Sequence, residues 1–214
     1  MSRCAIVVPA FDEAAAIGGV VTDLARHAEV IVVDDASRDR TADAAAAAGA
    51  TVVRHAVNAG YGRAVESGFA RAAEGGFSHV VTADGDGQHD PSEVADFVRL
   101  LTEEGWELVV GIRPGSHRLV ERLCAAYARR TLGVVDPLCG LKGYDLRLYA
   151  EYGGFDMRRS VGTELMTYAI RHGARWTQRP ITVRARDHGG SRFYGDLRAN
   201  MRILRSLRAL AAVR

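Results

Sequence analysis

Short β-branched runs alternate with segments of helical period through the first half of the chain, and this alternation restricts the fold more than any other feature. "CAIVVPAF" (4–11) and "EVIVVDD" (29–35) are runs of buried-strand type, and "DEAAAIGGVVTDLARHA" between them has helical spacing. "SRDRTADAAAAAGA" predicts a helix opened by Ser37 or Asp39 and closed near Gly49. The strand "TVVRH", a helix over "GRAVESGFARAAEGG", the strand "HVVTAD", a helix started by Pro91 and the strand "ELVVGIR" complete the series. Such alternation implies right-handed crossovers and an open, mostly parallel α/β sheet flanked by helices. After Arg113 the pattern loosens. A helix "HRLVERLCAAYARRTLG", an irregular "VVDPLCGLKGYDLRLY", a helix around "GTELMTYAIRHG", a strand "WTQRPITVRA", a Gly-rich loop and a basic terminal helix follow.

With 214 residues, 48% hydrophobic and 25% charged, the chain has the size and composition of one soluble domain. No apolar run approaches the roughly 20 residues that span a bilayer, and no signal peptide is legible. Cys4, Cys124 and Cys139 lack metal-type spacing and suit reduced thiols, so a cytoplasmic location is expected. A net charge of +2 conceals an asymmetry: residues 1–107 hold 8 Lys/Arg against 18 Asp/Glu, and residues 108–214 hold 20 against 8. No nucleic-acid partner is expected, and the oligomeric state is not legible.

Ligands of open α/β sheets bind beyond the carboxyl ends of the strands. Three such ends carry unusual chemistry: Pro9 to Glu13, then Asp34 and Asp35, then "ADGDGQ" at residues 83–88. In Asp84-Gly85-Asp86 a small middle residue lets two carboxylates approach one hard cation, for which oxygen ligands suit Mg²⁺ or Mn²⁺ and a diphosphate can fill the remaining positions. Asp-Gly pairs also form turns, so the motif alone is weak; three acidic ends on one rim favour function.

"VVPAFDEAAAI", "VIVVDDASRDRTADAA", "NAGYGRAVESG", "VTADGDGQHDP", "VVGIR", "DPLCGLKGYD", "VGTELM" and "RPITVRARDHGGSRF", in this order, resemble glycosyltransferase family 2, in particular its dolichyl-phosphate mannosyltransferase and polyprenyl-phosphate glycosyltransferase branch. The resemblance covers about residues 4–194 and implies a GT-A fold, a nucleoside-diphosphate sugar donor of GDP-mannose or UDP-glucose type, a divalent cation and inversion at the anomeric carbon. It divides the chain into a nucleotide-sugar half (1–113) and an acceptor half (114–194) of one GT-A domain, followed by the basic amphipathic helix 195–214.

Carried over by motif, Pro9, Phe11 and Glu13 line the nucleotide, with Phe11 where a Tyr is frequent. One of Asp34 and Asp35 contacts the nucleoside, although either could instead cap the next helix. Asp84 and Asp86 hold the metal, and Gln88 stands near the phosphates or sugar. Arg113 meets a diphosphate or an acceptor phosphate. Gly60 and Gly62 resemble part of a dinucleotide fingerprint, but Val65 replaces its third glycine; close helix packing, with Asn58 and Gly60 near the donor, is the better reading. In "RDHGGSRF", Arg186, Ser191 and Arg192 could clamp a phosphate on a loop made mobile by its glycines, Arg192 standing where the family usually has lysine.

Two carboxylates bear on mechanism. Transfer to a hydroxyl needs a base, which Asp136 or Glu164 could supply, whereas an ionised phosphate acceptor needs none. Simpler roles are an Asp-Pro turn for Asp136 and a helix-start carboxylate for Glu164, or orientation of the loop arginines or metal shell by Glu164. The reading is a metal-dependent inverting hexosyltransferase acting on a phosphate acceptor, polyprenyl phosphate above all. Transfer to a soluble sugar or metabolite hydroxyl, a nucleotidyltransferase and a non-catalytic nucleotide-sugar-binding module are the alternatives. The terminal helix, with Arg198, Arg202, Arg205 and Arg208 beside an apolar stripe, could bring the enzyme to the inner face of a membrane, or pack on its own domain or a partner subunit.

Overall fold

A computed structural model describes residues 2–115, 119–156, 160, 162–184 and 197–213. The elements run β1 (Cys4–Ala10), α1 (Ile17–Leu24), β2 (Glu29–Asp34), α2 (Thr41–Ala47), β3 (Thr51–Arg54), α3 (Tyr61–Glu74), β4 (His79–Thr82), α4 (Pro91–Thr102), β5 (Leu108–Ile112), α5 (Leu119–Leu132), β6 (Lys142–Asp145), α6 (Leu146–Tyr152), α7 (Thr163–Arg171), β7 (Trp176–Pro180) and α8 (Leu197–Ala212). One seven-stranded sheet has the order β3-β2-β1-β4-β6-β5-β7. All neighbours are parallel except β6, which is antiparallel to both β4 and β5.

Each face of the sheet buries its own core. On one face α1, α2 and α4 pack through Ile17, Val21, Ala45, Val94 and Phe97 over alternate strand residues such as Ile6, Val8 and Val32. On the other, α3 and α5 to α8 cover Val7, Ile31, Val33 and Val110. Period-2 alternation therefore splits each strand between two cores, as expected of a sheet covered on both sides.

Several elements differ from the sequence expectation: α2 opens at Thr41 after Arg40, without a side-chain cap, and β7 ends at Pro180. The segment read as irregular after Val134 contains β6 and α6. Its strand, "KGYD", has no β-branched residue and includes a lysine and an aspartate, yet all four residues are buried. Tertiary burial between β4 and β5 decides its conformation, not propensity. Helix α1 starts at Ile17, later than its spacing implies, because the amides of Asp12, Glu13 and Ala14 are taken by Ser37, Thr41 and Asp39 and Asp12 sits at φ 50°. Pro91 does open α4, with Asp90 accepting from the Ser92 amide as N-cap. The last helix, α8, packs against α5 and α7 and buries Ile203, Ser206, Ala209 and Leu210.

Close helix-to-sheet packing accounts for Gly68 in α3: a Cβ there would lie 2.2 Å from Cγ1 of Val7 in β1. Gly19 in α1 faces open space. Gly68→Ala is therefore expected to cost about 2 kcal/mol, its overpacking exceeding the helix-propensity gain of about 1 kcal/mol, and to lower Tm by about 4–8 °C. Gly19→Ala should gain roughly 0.5–1 kcal/mol in the same thermal unfolding experiment. Equal effects of the two substitutions would contradict the packing assigned to α3.

Candidate active site

Strands β2, β1 and β4 lie side by side, with Ala10 paired to Asp34 and Val7 to Thr82, so their carboxyl ends open on one rim. The two sides of the β1/β4 boundary extend the sheet in opposite directions, the place where such sheets leave a crevice. The loop after β1 is stitched to the loop after β2. Ser37 Oγ accepts from the Asp12 amide (2.9 Å), Thr41 Oγ1 from that of Glu13 (2.8 Å) and Asp39 Oδ2 from that of Ala14 (3.1 Å). Asp12 in return accepts from the Arg38 amide and guanidinium, and Arg38 lies over the Phe11 ring at 5.7 Å. The "SRDRT" segment thereby fixes the Pro9 to Glu13 turn, a role the sequence reading gave only to helix capping.

Asp34 and Asp35 are both buried but serve different loops. Asp34 accepts from the Ser37 amide (2.9 Å) and pairs with the Arg54 guanidinium at 3.1 Å. Asp35 accepts from the amides of Ala59 (2.8 Å) and Gly60 (2.7 Å), and its Oδ1 meets His55 Nδ1 at 2.7 Å. The Asn58 amide group donates to the Asp35 carbonyl. Asp35 therefore organises the Asn58–Gly60 loop at the start of α3, where Gly60 adopts φ 88°. Between these carboxylates Ala36 is held at φ 63°, an unfavourable conformation for a residue with a Cβ and one that such a crowded turn imposes.

The Asp84–Asp86 turn follows β4. Asp86 is buried and accepts from the Gln88 amide (3.1 Å), whereas the Asp84 side chain is 38% exposed and meets His89 Nε2 at 3.2 Å. Gly85 lies against β1, since a Cβ would stand 3.3 Å from the Pro9 carbonyl. Burial opposes the charge on His89, but the hydrogen bond and charge of Asp84, with Asp86 behind it, outweigh it and raise the imidazole above its ordinary value. Burial and then the charge of Asp84 push the Tyr61 phenol well upward, so the first residue of α3 also lies within reach of this carboxylate. Among the described residues no group of three or more His, Cys, Asp or Glu side chains is arranged to hold a metal. Two carboxylates on one turn fit a Mg²⁺ or Mn²⁺ completed by a diphosphate and water, not an ion enclosed by protein.

The antiparallel β6 brings the loop 136–141 against this turn. Thr82 Oγ1 donates to the Gly140 carbonyl (2.6 Å), and a Cβ on Gly140 would fall 2.6 Å from Asp84 Oδ2. Lys142, 3% exposed, donates to the Cys139 carbonyl (2.6 Å), and burial lowers its pKa. Arg113, at the end of β5, grips Asp136 with two parallel bonds, Nε to Oδ2 (2.7 Å) and Nη2 to Oδ1 (2.9 Å). Leu138 also donates to Asp136 Oδ1, so the Asp-Pro turn is present as well. Burial disfavours the Asp136 carboxylate, yet the hydrogen bonds and charge of Arg113 hold its pKa below the usual range. Glu164 is fully buried in the first turn of α7 and accepts from the Tyr152 hydroxyl (3.0 Å).

Arg186, Ser191 and Arg192 lie outside the described residues. The chain leading to them is anchored at the acidic turn: Arg184 N donates to the Gln88 carbonyl (2.9 Å), Gln88 Nε2 to the Arg184 carbonyl (3.2 Å), and the Arg184 guanidinium pairs with Asp90 (2.5 Å). Sequence reasoning left His89, Tyr61, Lys142 and Arg184 without roles. His89 stood inside the quoted motif and could have been found there; Lys142 and Tyr61 became visible only through the pairing of β6 and the start of α3.

A Glycosyl transferase family 2 model matches residues 5–121. Glycosyltransferase AglJ of Haloferax volcanii is 26% identical over 86% of this chain and 64% of its own length. An undecaprenyl-phosphate 4-deoxy-4-formamido-L-arabinose transferase of Pseudomonas aeruginosa is 31% identical over 65% of this chain and 46% of its own, so the chain spans about half to two thirds of these two relatives. The crystal structure of glucosyl-3-phosphoglycerate synthase from Mycobacterium tuberculosis with Mg²⁺ and uridine diphosphate superposes at a TM-score of 0.76, with 26% identity over 98% of this chain and 80% of that one. The fold is that of GT-A glycosyltransferases, and the chain belongs to glycosyltransferase family 2.

Proposed function

We propose that this glycosyltransferase moves a hexose from a nucleoside-diphosphate sugar to a phosphate acceptor, polyprenyl phosphate above all, with inversion. The observation that carries the acceptor choice is the state of the candidate bases. Asp136 is locked in a bidentate pair with Arg113 and its pKa is depressed, and Glu164 is buried beneath Tyr152. A carboxylate held below its usual pKa is a poor proton acceptor. An acceptor phosphate oxygen is already ionised; it forms the new bond to the anomeric carbon as the bond to the donor diphosphate breaks, and the nucleoside diphosphate leaves with that electron pair. Relatives named for dolichyl-phosphate and undecaprenyl-phosphate transfer support the same acceptor class.

In this reading the loops at Pro9–Glu13, Asp34–Asp35 and Asn58–Gly60 enclose the nucleoside, and the structural neighbour solved with uridine diphosphate favours a UDP-linked donor. Asp84 and Asp86 would hold Mg²⁺ or Mn²⁺, which when bound neutralises charge on the leaving diphosphate. Gln88 and Arg184 fix the turn through paired backbone and side-chain bonds, and Arg186, Ser191 and Arg192 would supply further donors for the phosphates. Arg113, already ion-paired, offers its remaining guanidinium donors to an acceptor phosphate. A second reading, transfer to a phosphorylated metabolite through its hydroxyl, is favoured by the neighbour named for 3-phosphoglycerate glucosylation.

Transfer from UDP-glucose, UDP-N-acetylglucosamine and GDP-mannose to detergent-dispersed polyprenyl phosphate and to 3-phosphoglycerate separates the two. Metal-dependent transfer to the lipid phosphate, reduced at least about 100-fold in Asp84→Ala and in Asp86→Ala, is expected. Transfer only to 3-phosphoglycerate, or full activity of both variants in EDTA, would overturn the proposal.

Asp136→Asn tests the base directly. A depressed native pKa contributes stability that is complete above the unfolded value of about 3.9 and is lost as pH falls through the native value. The substitution should cost on the order of 2 kcal/mol at pH 7, with the difference from wild type shrinking below about pH 4 in denaturant titrations. Unchanged stability with a turnover loss of about 10³-fold would instead mark Asp136 as a base.

A further inference from the structure

Helix α5 has two apolar stripes. Cys124, Ala128 and Leu132 form the buried one. Leu119, Leu123 and Tyr127, at i, i+4 and i+8, form a second that faces solvent with relative exposures of 70, 56 and 36%. Among the described residues six large hydrophobics are exposed, and four of them, these three and Leu204, lie on α5 and its packing neighbour α8. Exposed apolar residues gathered on one surface mark a contact site, whereas scattered ones do not.

The charge around the stripe is predominantly positive. Arg122, Arg129 and Arg130 of α5 are exposed, as are Arg205 and Arg208 of α8. Glu121 is the single acidic residue in either helix. Apolar side chains flanked mainly by arginine complement an anionic lipid surface: the apolar groups enter the headgroup boundary and the guanidiniums meet phosphates. A second copy of this chain would set arginine against arginine across a symmetric contact, which disfavours self-association.

The sequence leaves the amphipathic C-terminal helix either on a membrane or packed on its own domain or a partner subunit, and the fold packs it on α5 and α7. The inward residues of α8, Ile203, Ser206, Ala209 and Leu210, are buried, and Ser206 bonds the Ser160 carbonyl. Among the described residues, the exposed apolar face belongs to α5. Moreover, α5 follows closely on Arg113, so a surface that seats α5 lies on the side of the site where an acceptor phosphate is expected.

We propose that the outer face of α5, extended by Leu204, Arg205 and Arg208 of α8, docks the protein on anionic lipid bilayers. This rests on the acceptor reading only for its purpose; the docking is measured without catalysis. The experiment is co-sedimentation of the full chain with vesicles of phosphatidylcholine alone and with about 30% phosphatidylglycerol, at low and high salt. Salt-sensitive binding to the anionic vesicles is expected. Leu119→Glu/Leu123→Glu and, separately, Arg129→Glu/Arg130→Glu should each lower the partition coefficient about tenfold or more with Tm unchanged. Both pairs of substitutions should leave transfer to detergent-dispersed acceptor intact and slow transfer to vesicle-embedded acceptor. Failure of the wild type to bind anionic vesicles, equal binding by the variants, or a wild-type dimer that Leu119→Glu/Leu123→Glu converts to monomer would overturn the proposal. A protein that binds vesicles through this face yet transfers no sugar to polyprenyl phosphate sustains the docking site and removes the acceptor reading alone.

Discussion

A carboxylate placed at the end of a buried strand has lost much of its water and must find donors or positive charge. Four do so on one rim here, and the loops around them are arranged accordingly. Asp34 and Asp35 draw the turn at Ser37 and the loop at Ala59 and Gly60 onto β2. Asp86 draws in the Gln88 amide and Asp84 the His89 ring. The consequence is a division of labour: Asp34 and Asp35 are absorbed in shaping the crevice, while Asp84 keeps a partly exposed carboxylate beside the buried Asp86. Concentrated negative charge with oxygen donors at the mouth of a crevice favours a divalent cation.

The opposite wall supplies the opposite sign. The antiparallel β6 carries Lys142 into the interior and holds the 136–141 loop against Asp84, and β5 ends on Arg113. Asp136 spends its charge on Arg113 in a geometry that a proton-accepting base would not share. Acidic strand ends thus face a wall that carries Arg113 and Lys142, an arrangement that would suit a metal-bound diphosphate beside a second phosphate.

Strands β1, β2, β4 and β5 were legible because each contains two or more consecutive β-branched residues with turn or charged residues beyond its end. "KGYD" carries no such signal, and without β6 the packing of Gly140 on Asp84 could not be foreseen. The motifs located the rim correctly, with Pro9, Asp34, Asp84 and Arg113 all at strand ends. They were silent on which carboxylates are consumed by hydrogen bonds, since that depends on loop conformations such as φ 63° at Ala36. The buried cation Lys142 was equally hidden, because a lysine in a polar tetrapeptide reads as solvent-facing until its neighbours are known.

On this reading Asp84 and Asp86 bind a divalent cation jointly with a donor diphosphate. Titrating Mn²⁺ into the protein with and without uridine diphosphate, followed by electron paramagnetic resonance of the free ion, tests it most directly. Weak binding of Mn²⁺ alone, tight binding of one ion with the nucleotide present, and loss of the tight site in Asp84→Asn and in Asp86→Asn are expected. Tight binding of Mn²⁺ that ignores both the nucleotide and these substitutions would contradict it.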